Sequence, residues 1–348
     1  MFVTGVGSAA PRNRFTQREC WEALQAAPQF PALAGRSKAI LKKVLLGENG
    51  VDTRYLAFDR LEEAFALNPD ALHRRFVGTA PVIAEEAARR AIANAGKAAD
   101  EIDALLISTC TGYLCPGLTS YVSERLGLRP GITCLDLVGQ GCGAAIPNLG
   151  AANAFLAAGA ENTLSICVEV CSAAFYLDDD PGVLISACIF GDAAGAVVSS
   201  RMPAGPRPLR WLGWNTALDP KNRDLLRFEQ RNGMLRNVLD KSVPCLVVDQ
   251  ARNVLCDGLK KLRLEGSAIK NWVLHSGGRD VLAAMRAGLE LKESDIRHSA
   301  AILREFGNVS SPSVMLTLER ALAEAPPGLW WMSAFGAGIS CHGAFLEG

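Results

Sequence analysis

The order strand, turn, helix, strand, strand occurs twice in this chain, and few folds accommodate it. In the first half Ala104 to Ser108, Thr133 to Val138, Leu164 to Val168 and Ala193 to Ser199 are apolar runs without alternation, the pattern of a sheet covered on both faces. Between the second and third lies Ala144 to Ala158, a helix of small residues. Ile83 to Ala95, ahead of the first strand, carries Glu85, Glu86, Arg89 and Arg90 at helical period. In the second half Trp272 to Leu274 runs into His275-Ser276-Gly277-Gly278, as Leu105 to Ser108 runs into Thr109-Cys110-Thr111-Gly112. Val314 to Glu324 is a helix entered through Asn308-Val309-Ser310-Ser311-Pro312, as the Ala144 helix is entered through Gly141-Cys142-Gly143. Leu329 to Ser333 and Ile339 to Phe345 then echo the third and fourth strands. The expected fold is a duplicated α/β unit packed as one layered core, with halves 1–205 and 206–348. Arg201 to Pro208, with three prolines, is the seam between them.

With 348 residues there is enough chain for two such units. Lys plus Arg number 36 and Asp plus Glu 36, so no global field favours nucleic acid or an acidic membrane. The N-terminus has no basic region followed by a long apolar run, which argues against a signal peptide. No apolar stretch reaches the roughly 18 residues of a transmembrane helix. The 11 cysteines fall at irregular spacings in apolar segments, for example Cys134, Cys167, Cys188 and Cys256, as expected for buried, reduced thiols of a cytoplasmic protein.

Among these thiols Cys142 stands apart. It occupies a strand-to-helix junction between Gly141 and Gly143, where helix N–H groups stabilise a thiolate and glycines let a substrate approach the sulfur. The competing reading is one more buried thiol. Of the four histidines, His73 and His298 sit in charged, helix-like segments and read as surface residues, while His342 stays open between roles. His275 closes an apolar strand and opens a glycine turn, a common station for a functional histidine. Asn308 precedes a helix, and an ordinary helix cap is the alternative there. Together Cys142, His275 and Asn308, at equivalent turns of two halves, supply a nucleophile, a base and an amide donor. Papain-like proteases use the trio in this order, but their cysteine lies near the mature N-terminus in a Cys-Gly-Ser-Cys-Trp setting that is missing here.

Gly139-Gln140-Gly141-Cys142, His275-Ser276-Gly277-Gly278 and Gly307-Asn308-Val309-Ser310-Ser311, in this order, resemble the three catalytic motifs of type III polyketide synthases. These form the chalcone and stilbene synthase family of the thiolase superfamily. Phe190-Gly191-Asp192 resembles the segment carrying the phenylalanine between access tunnel and cavity, and Phe335-Gly336-Ala337-Gly338 the C-terminal glycine-rich loop. The resemblance implies a thiolase-like, five-layered α/β/α/β/α fold and a homodimer. It also implies iterative decarboxylative condensation of malonyl-CoA onto an acyl-CoA starter held on Cys142, followed by cyclisation. His275 would pair with the thiolate, and His275 and Asn308 would bind the enolate oxygen. Coenzyme A thioesters are the only small molecules implied, with neither metal nor redox cofactor.

The resemblance also sets Phe190, Cys110, Thr111, Cys171, Ala174, Gly233, Ser310, Phe335, Gly336 and Gly338 around the substrate. Cys110, Cys171 and Ala174 stand where plant members often carry threonine, which suggests an apolar starter; core packing explains them equally. Lys42 and Lys43 lie in the segment that meets coenzyme A phosphates, although Leu41 and Val44 occupy the expected basic positions. Ketoacyl-acyl-carrier-protein synthases of initiation type share the trio but typically show Ala-Cys-Ala and His-Gln-Ala-Asn, and neither is present. A catalytically silent binding protein of the same fold is the other alternative. Among weaker patterns, Gly5-Val6-Gly7 reads as a plain turn, Cys110 and Cys115 lack partners at zinc-site spacing, and Asp178-Asp179-Asp180 reads as a solvated turn.

Overall fold

The computed structural model describes residues 1–348. Strand β1 (Phe2–Ala9) is followed by the short pair β2 (Arg14–Thr16) and β3 (Thr53–Tyr55), which brackets α1 (Gln17–Ala26) and α2 (Gly35–Leu46). Then come α3 (Pro69–Asn94), β4 (Ala104–Ser108), α4 (Leu118–Leu126), β5 (Thr133–Leu137), α5 (Ala145–Ala157), β6 (Asn162–Glu169), α6 (Pro181–Ile189) and β7 (Ala193–Ser200). The remainder is β8 (Leu209–Leu218), the hairpin β9 (Leu226–Arg231) and β10 (Met234–Leu239), α7 (Val243–Leu262), β11 (Ile269–Leu274), α8 (Arg279–Gly288), α9 (Arg297–Phe306), α10 (Ser313–Glu324), β12 (Leu329–Gly336) and β13 (Ser340–Glu347).

Nine strands bond in the order β5-β4-β6-β7-β1-β8-β13-β12-β11. Along β4-β6-β7-β1 the pairings run parallel, antiparallel, antiparallel, and β11-β12-β13-β8 repeats that series. The duplication read from the apolar runs is therefore present in the sheet, except that β5 has no counterpart. Only Phe2–Arg210 and Val3–Leu209 join the two sets, through β1 and β8.

Helices α3 and α4 cover one outer face and α7 the other, with α8 packed against α7, while α5 and α10 touch strands of both sets. The result is five layers, α/β/α/β/α. Ala145, Ile146 and Leu149 of α5 share one apolar cluster with Val314, Met315 and Leu318 of α10 and with Val197 and Met332 from either sheet. This squeezed position explains the small residues of α5: a Cβ on Gly150 would lie 2.6 Å from the Trp214 ring. The segments that lead into the two central helices carry Cys142 and Asn308.

Several local expectations are corrected. Gly5-Val6-Gly7 is strand, not turn; Cβ atoms on Gly5 and Gly7 would lie 2.2 and 2.5 Å from the backbone of Ala91, so the glycines let β1 press against α3. Thr133 to Val138 is not covered on both faces: β5 is an exposed edge strand bonded only to β4. All cysteines are free, but Cys134 and Cys256 are exposed. His298 is buried, because it shares a helix face with Ala301 and Ile302, three and four residues on. The three aspartates are engaged rather than merely solvated. Asp178 accepts from Arg236 at 2.8 Å, Asp179 from the Ser37 hydroxyl at 2.5 Å, and Asp180 caps α6. The helix expected over Ile83–Ala95 is the C-terminal half of the longer α3. No helix is long and apolar enough to cross a membrane.

Candidate active site

Cys142 lies in a short 3-10 turn, Gly141–Gly143, between β5 and α5. The glycines around it are a packing requirement. A Cβ on Gly143 would meet Gly336 N at 3.1 Å, and one on Gly336 would lie 2.2 Å from Gln140 O and 2.4 Å from Gly143 N. The nucleophile turn and the loop after β12 thus interlock backbone to backbone. One face of Cys142 opens on a cavity while protein encloses the rest of the sulfur. Burial pushes the thiol up to about 12, opposed by the Ser310 hydroxyl, which donates to Sγ at 3.2 Å.

His275 follows β11 directly, and its N–H extends the ladder to Ser333 O at 2.9 Å. The ring is buried edge-on against Phe335, centroids 4.8 Å apart, and Nδ1 bonds the Ser313 hydroxyl at 2.5 Å. Burial pulls the imidazole down to about 3. Nε2 is the free nitrogen, and it faces Gly277: a Cβ there would lie 3.0 Å from it.

Asn308 does not cap α10, whose N-cap is Pro312 without a side-chain bond. Its amide orientation is fixed instead, since Oδ1 accepts from Ser310 N at 2.9 Å and Nδ2 donates to Gly277 O at 3.0 Å. One Nδ2 hydrogen remains uncommitted. Gly277 thus neighbours both residues, its Cα toward His275 Nε2 and its carbonyl toward the Asn308 amide. Asn308 also forms a β-bridge with Phe190, which ties the third motif to the Phe190-Gly191-Asp192 segment.

Cys142 opens on a cavity with about 1210 Å³ of empty space including its mouth. Of the residues anticipated around the substrate, Cys110, Thr111, Cys171, Ala174, Phe190 and Ser310 line it. Phe335 instead backs His275, and Gly336 backs the nucleophile turn, leaving Ala337 as that loop's lining residue. Gly338, at φ 76°, donates its N–H to Leu226 O and stays outside the wall. Gly233 is far from this role: it forms the exposed β9–β10 turn with Asn232, both at positive φ. Lys42 and Lys43 are exposed on α2, while Leu41 of that helix faces the cavity.

One residue escaped the sequence reading. Glu169, at the end of β6, is fully buried and accepts from Cys110 N at 3.0 Å, Thr111 Oγ1 at 2.8 Å and Ser311 Oγ at 2.6 Å. Burial raises its carboxyl above the usual range and these donors oppose the shift. A lone glutamate closing a strand with no other charged residue was the available signal.

The family models for chalcone and stilbene synthases match residues 62–203 with the N-terminal domain and 220–346 with the C-terminal domain. The chain belongs to the chalcone and stilbene synthase family. It is 31% identical over 322 residues to a 1,3,6,8-tetrahydroxynaphthalene synthase of Streptomyces griseus, covering 89% of this chain and 84% of the relative. It is 28% identical over 333 residues to a 3,5-dihydroxyphenylacetyl-CoA synthase of Streptomyces toyocaensis, covering 92% and 83%. The solved 1,3,6,8-tetrahydroxynaphthalene synthase of Streptomyces coelicolor superposes with a TM-score of 0.88 over 100% of this chain and 99% of that one, at 23% identity, which speaks to the fold. The protein is a type III polyketide synthase of thiolase-like fold, and its matches do not favour the ketoacyl-carrier-protein alternative.

Proposed function

We propose that Cys142 carries the acyl chain, that His275 and Asn308 serve it, and that the reaction is iterative condensation of malonyl-CoA onto an acyl-CoA starter with later cyclisation. The observations that carry this reading are that Gly277 touches both His275 Nε2 and the Asn308 amide, and that Ser310, two residues after Asn308, donates at 3.2 Å to a Cys142 sulfur that opens on a largely apolar cavity. In loading, the Cys142 proton passes to Nε2, because Ser313 occupies Nδ1. The thiolate attacks the starter thioester carbonyl and coenzyme A leaves as its thiolate. The malonyl C–C bond then breaks, carbon dioxide leaves, and the electron pair left behind forms an enolate whose oxygen accepts from Nε2–H and Asn308 N–H. The enolate carbon attacks the Cys142 acyl carbonyl, and the sulfur departs as thiolate for the next round. None of these steps calls for a metal or redox cofactor.

Three wider assignments accompany this reading. Lys42 and Lys43, exposed on α2, are the basic residues assigned to coenzyme A phosphates. The exposed edge of β5, with Leu135 39% and Val138 61% exposed beside it, is where a second copy would extend the sheet into a homodimer. The halves are assigned as 1–205 and 206–348. Asn308→Ala tests the division of labour: it should still acylate Cys142 but lose malonyl-CoA decarboxylation by about 10² or more, as for removal of one oxyanion donor. His275→Ala should impair both steps, and equal, mild losses in the two variants would contradict these roles.

A further inference from the structure

Resting on His275 as the group that takes the Cys142 proton, we propose that Ser313 is a positioning residue for loading: its hydroxyl oxygen accepts the Nδ1 proton of His275 and so keeps the Nε2 lone pair for Cys142. Ser313 opens α10 and is wholly buried. A serine in the first turn of a helix ordinarily turns its hydroxyl to that helix's own N–H groups. This one does not. Its Oγ bonds His275 Nδ1 at 2.5 Å and nothing else. Its N–H goes to Ser310 O at 3.1 Å, and its carbonyl accepts from Thr317 Oγ1 at 2.8 Å. The backbone is anchored on both sides, and the hydroxyl is left to the ring.

Nothing else around the ring can place its proton. Phe335 lies edge-on to it, Gly277 stands at Nε2, and no carboxylate is bonded to it. A neutral imidazole carries one proton on either nitrogen, and the partner of one nitrogen decides the state of the other. With Oγ accepting from Nδ1–H, Nε2 is bare and takes the Cys142 proton. Both nitrogens then carry protons, Nδ1–H keeps its acceptor, and Nε2–H is in place for the enolate oxygen. Without the hydroxyl, Nδ1–H would be buried with no acceptor. The other tautomer avoids that by carrying the proton on Nε2, where substrate or water can accept it. That tautomer keeps a donor for the enolate but offers the cysteine no lone pair. Ser313 therefore serves loading more than decarboxylation, the reverse of Asn308.

The test compares Ser313→Ala and Ser313→Thr with the unchanged protein. Single-turnover acylation of Cys142 by acetyl-CoA, read by intact mass, should fall about tenfold or more in Ser313→Ala. In Ser313→Thr, which keeps the hydroxyl, it should stay within about threefold. First-turnover release of carbon dioxide from malonyl-CoA, by protein acylated beforehand through long incubation, should change less than about threefold in either variant. In 15N spectra of histidine-labelled protein, His275 is the signal among the four histidines that His275→Ala removes. It should carry a proton on Nδ1 in the unchanged protein and on Nε2 alone in Ser313→Ala. A bare Nδ1 in the unchanged protein would overturn the proposal. So would undiminished loading by Ser313→Ala, equal losses of loading and decarboxylation, or a threonine variant as slow as the alanine one at the parental melting temperature. If His275→Ala itself loads at the parental rate, the reading of His275 fails instead.

Discussion

Replacing Glu169 by Gln in a His275→Ala background isolates what the buried carboxylate does to the cysteine. Without His275 no base shares the thiol proton, so alkylation by iodoacetamide follows the thiolate fraction. Because burial holds the Cys142 thiol near 12, the rate in His275→Ala should climb about tenfold per pH unit between about pH 6 and 9 without a plateau. Glu169 raises that thiol further by repulsion. Its Oε1 lies 3.5 Å from Ser310 Oγ, which lies 3.2 Å from Cys142 Sγ, so carboxylate and sulfur are at most about 6.7 Å apart, where two unit charges repel by about 2.5 kcal/mol at an effective dielectric constant of about 20. Gln keeps the shape and removes the charge, so alkylation at fixed pH should rise between about tenfold and a hundredfold. The Ser310 and Ser311 hydroxyls can turn to accept from the new amide, which keeps the stability change within about 2 kcal/mol. Stopped-flow alkylation of both proteins across pH, beside urea melts, decides the point. An unchanged or slower rate in a protein of parental stability would refute the electrostatic argument.

Two further substitutions probe packing. Ala174→Phe should fill cavity space and shift products toward shorter starters or fewer extensions while acyl transfer to Cys142 continues; lowered stability with an unchanged product profile would mean that the side chain meets core instead. Gly336→Ala would drive a Cβ against Gln140 O and Gly143 N, both backbone, and should cost about 3 kcal/mol or more in urea melts, with condensation lost in the protein that still folds.

What the sequence disclosed, and what it withheld, follows from the range of the interactions. The turns at Cys142, His275 and Asn308 were legible because each is a local motif whose glycines and neighbours lie within a few residues. Strands β4 and β7 were legible because enclosure between layers demands uninterrupted apolar runs. The same rule misled at β5, whose Leu135 and Leu137 resemble core residues although the strand is the edge of the sheet and leaves Leu135 exposed. Gly5 and Gly7 were misread because the need for glycine comes from Ala91, on a distant helix. Glu169 was invisible for a similar reason: its donors come from Cys110, Thr111 and Ser311, on segments that only the fold brings together. The apolar side of the cavity was legible only at Cys171 and Ala174, since α1 and α2 present their lining faces only once folded.

The central claim is that Cys142 holds the growing chain, and the most direct measurement is the mass of the protein after brief exposure to an acyl-CoA. The unmodified protein should gain one acyl group, located by peptide mapping on Cys142, and Cys142→Ala should gain none while melting at nearly the same temperature. An adduct on Cys110 or Cys171, or equal acylation of the variant, would contradict the account.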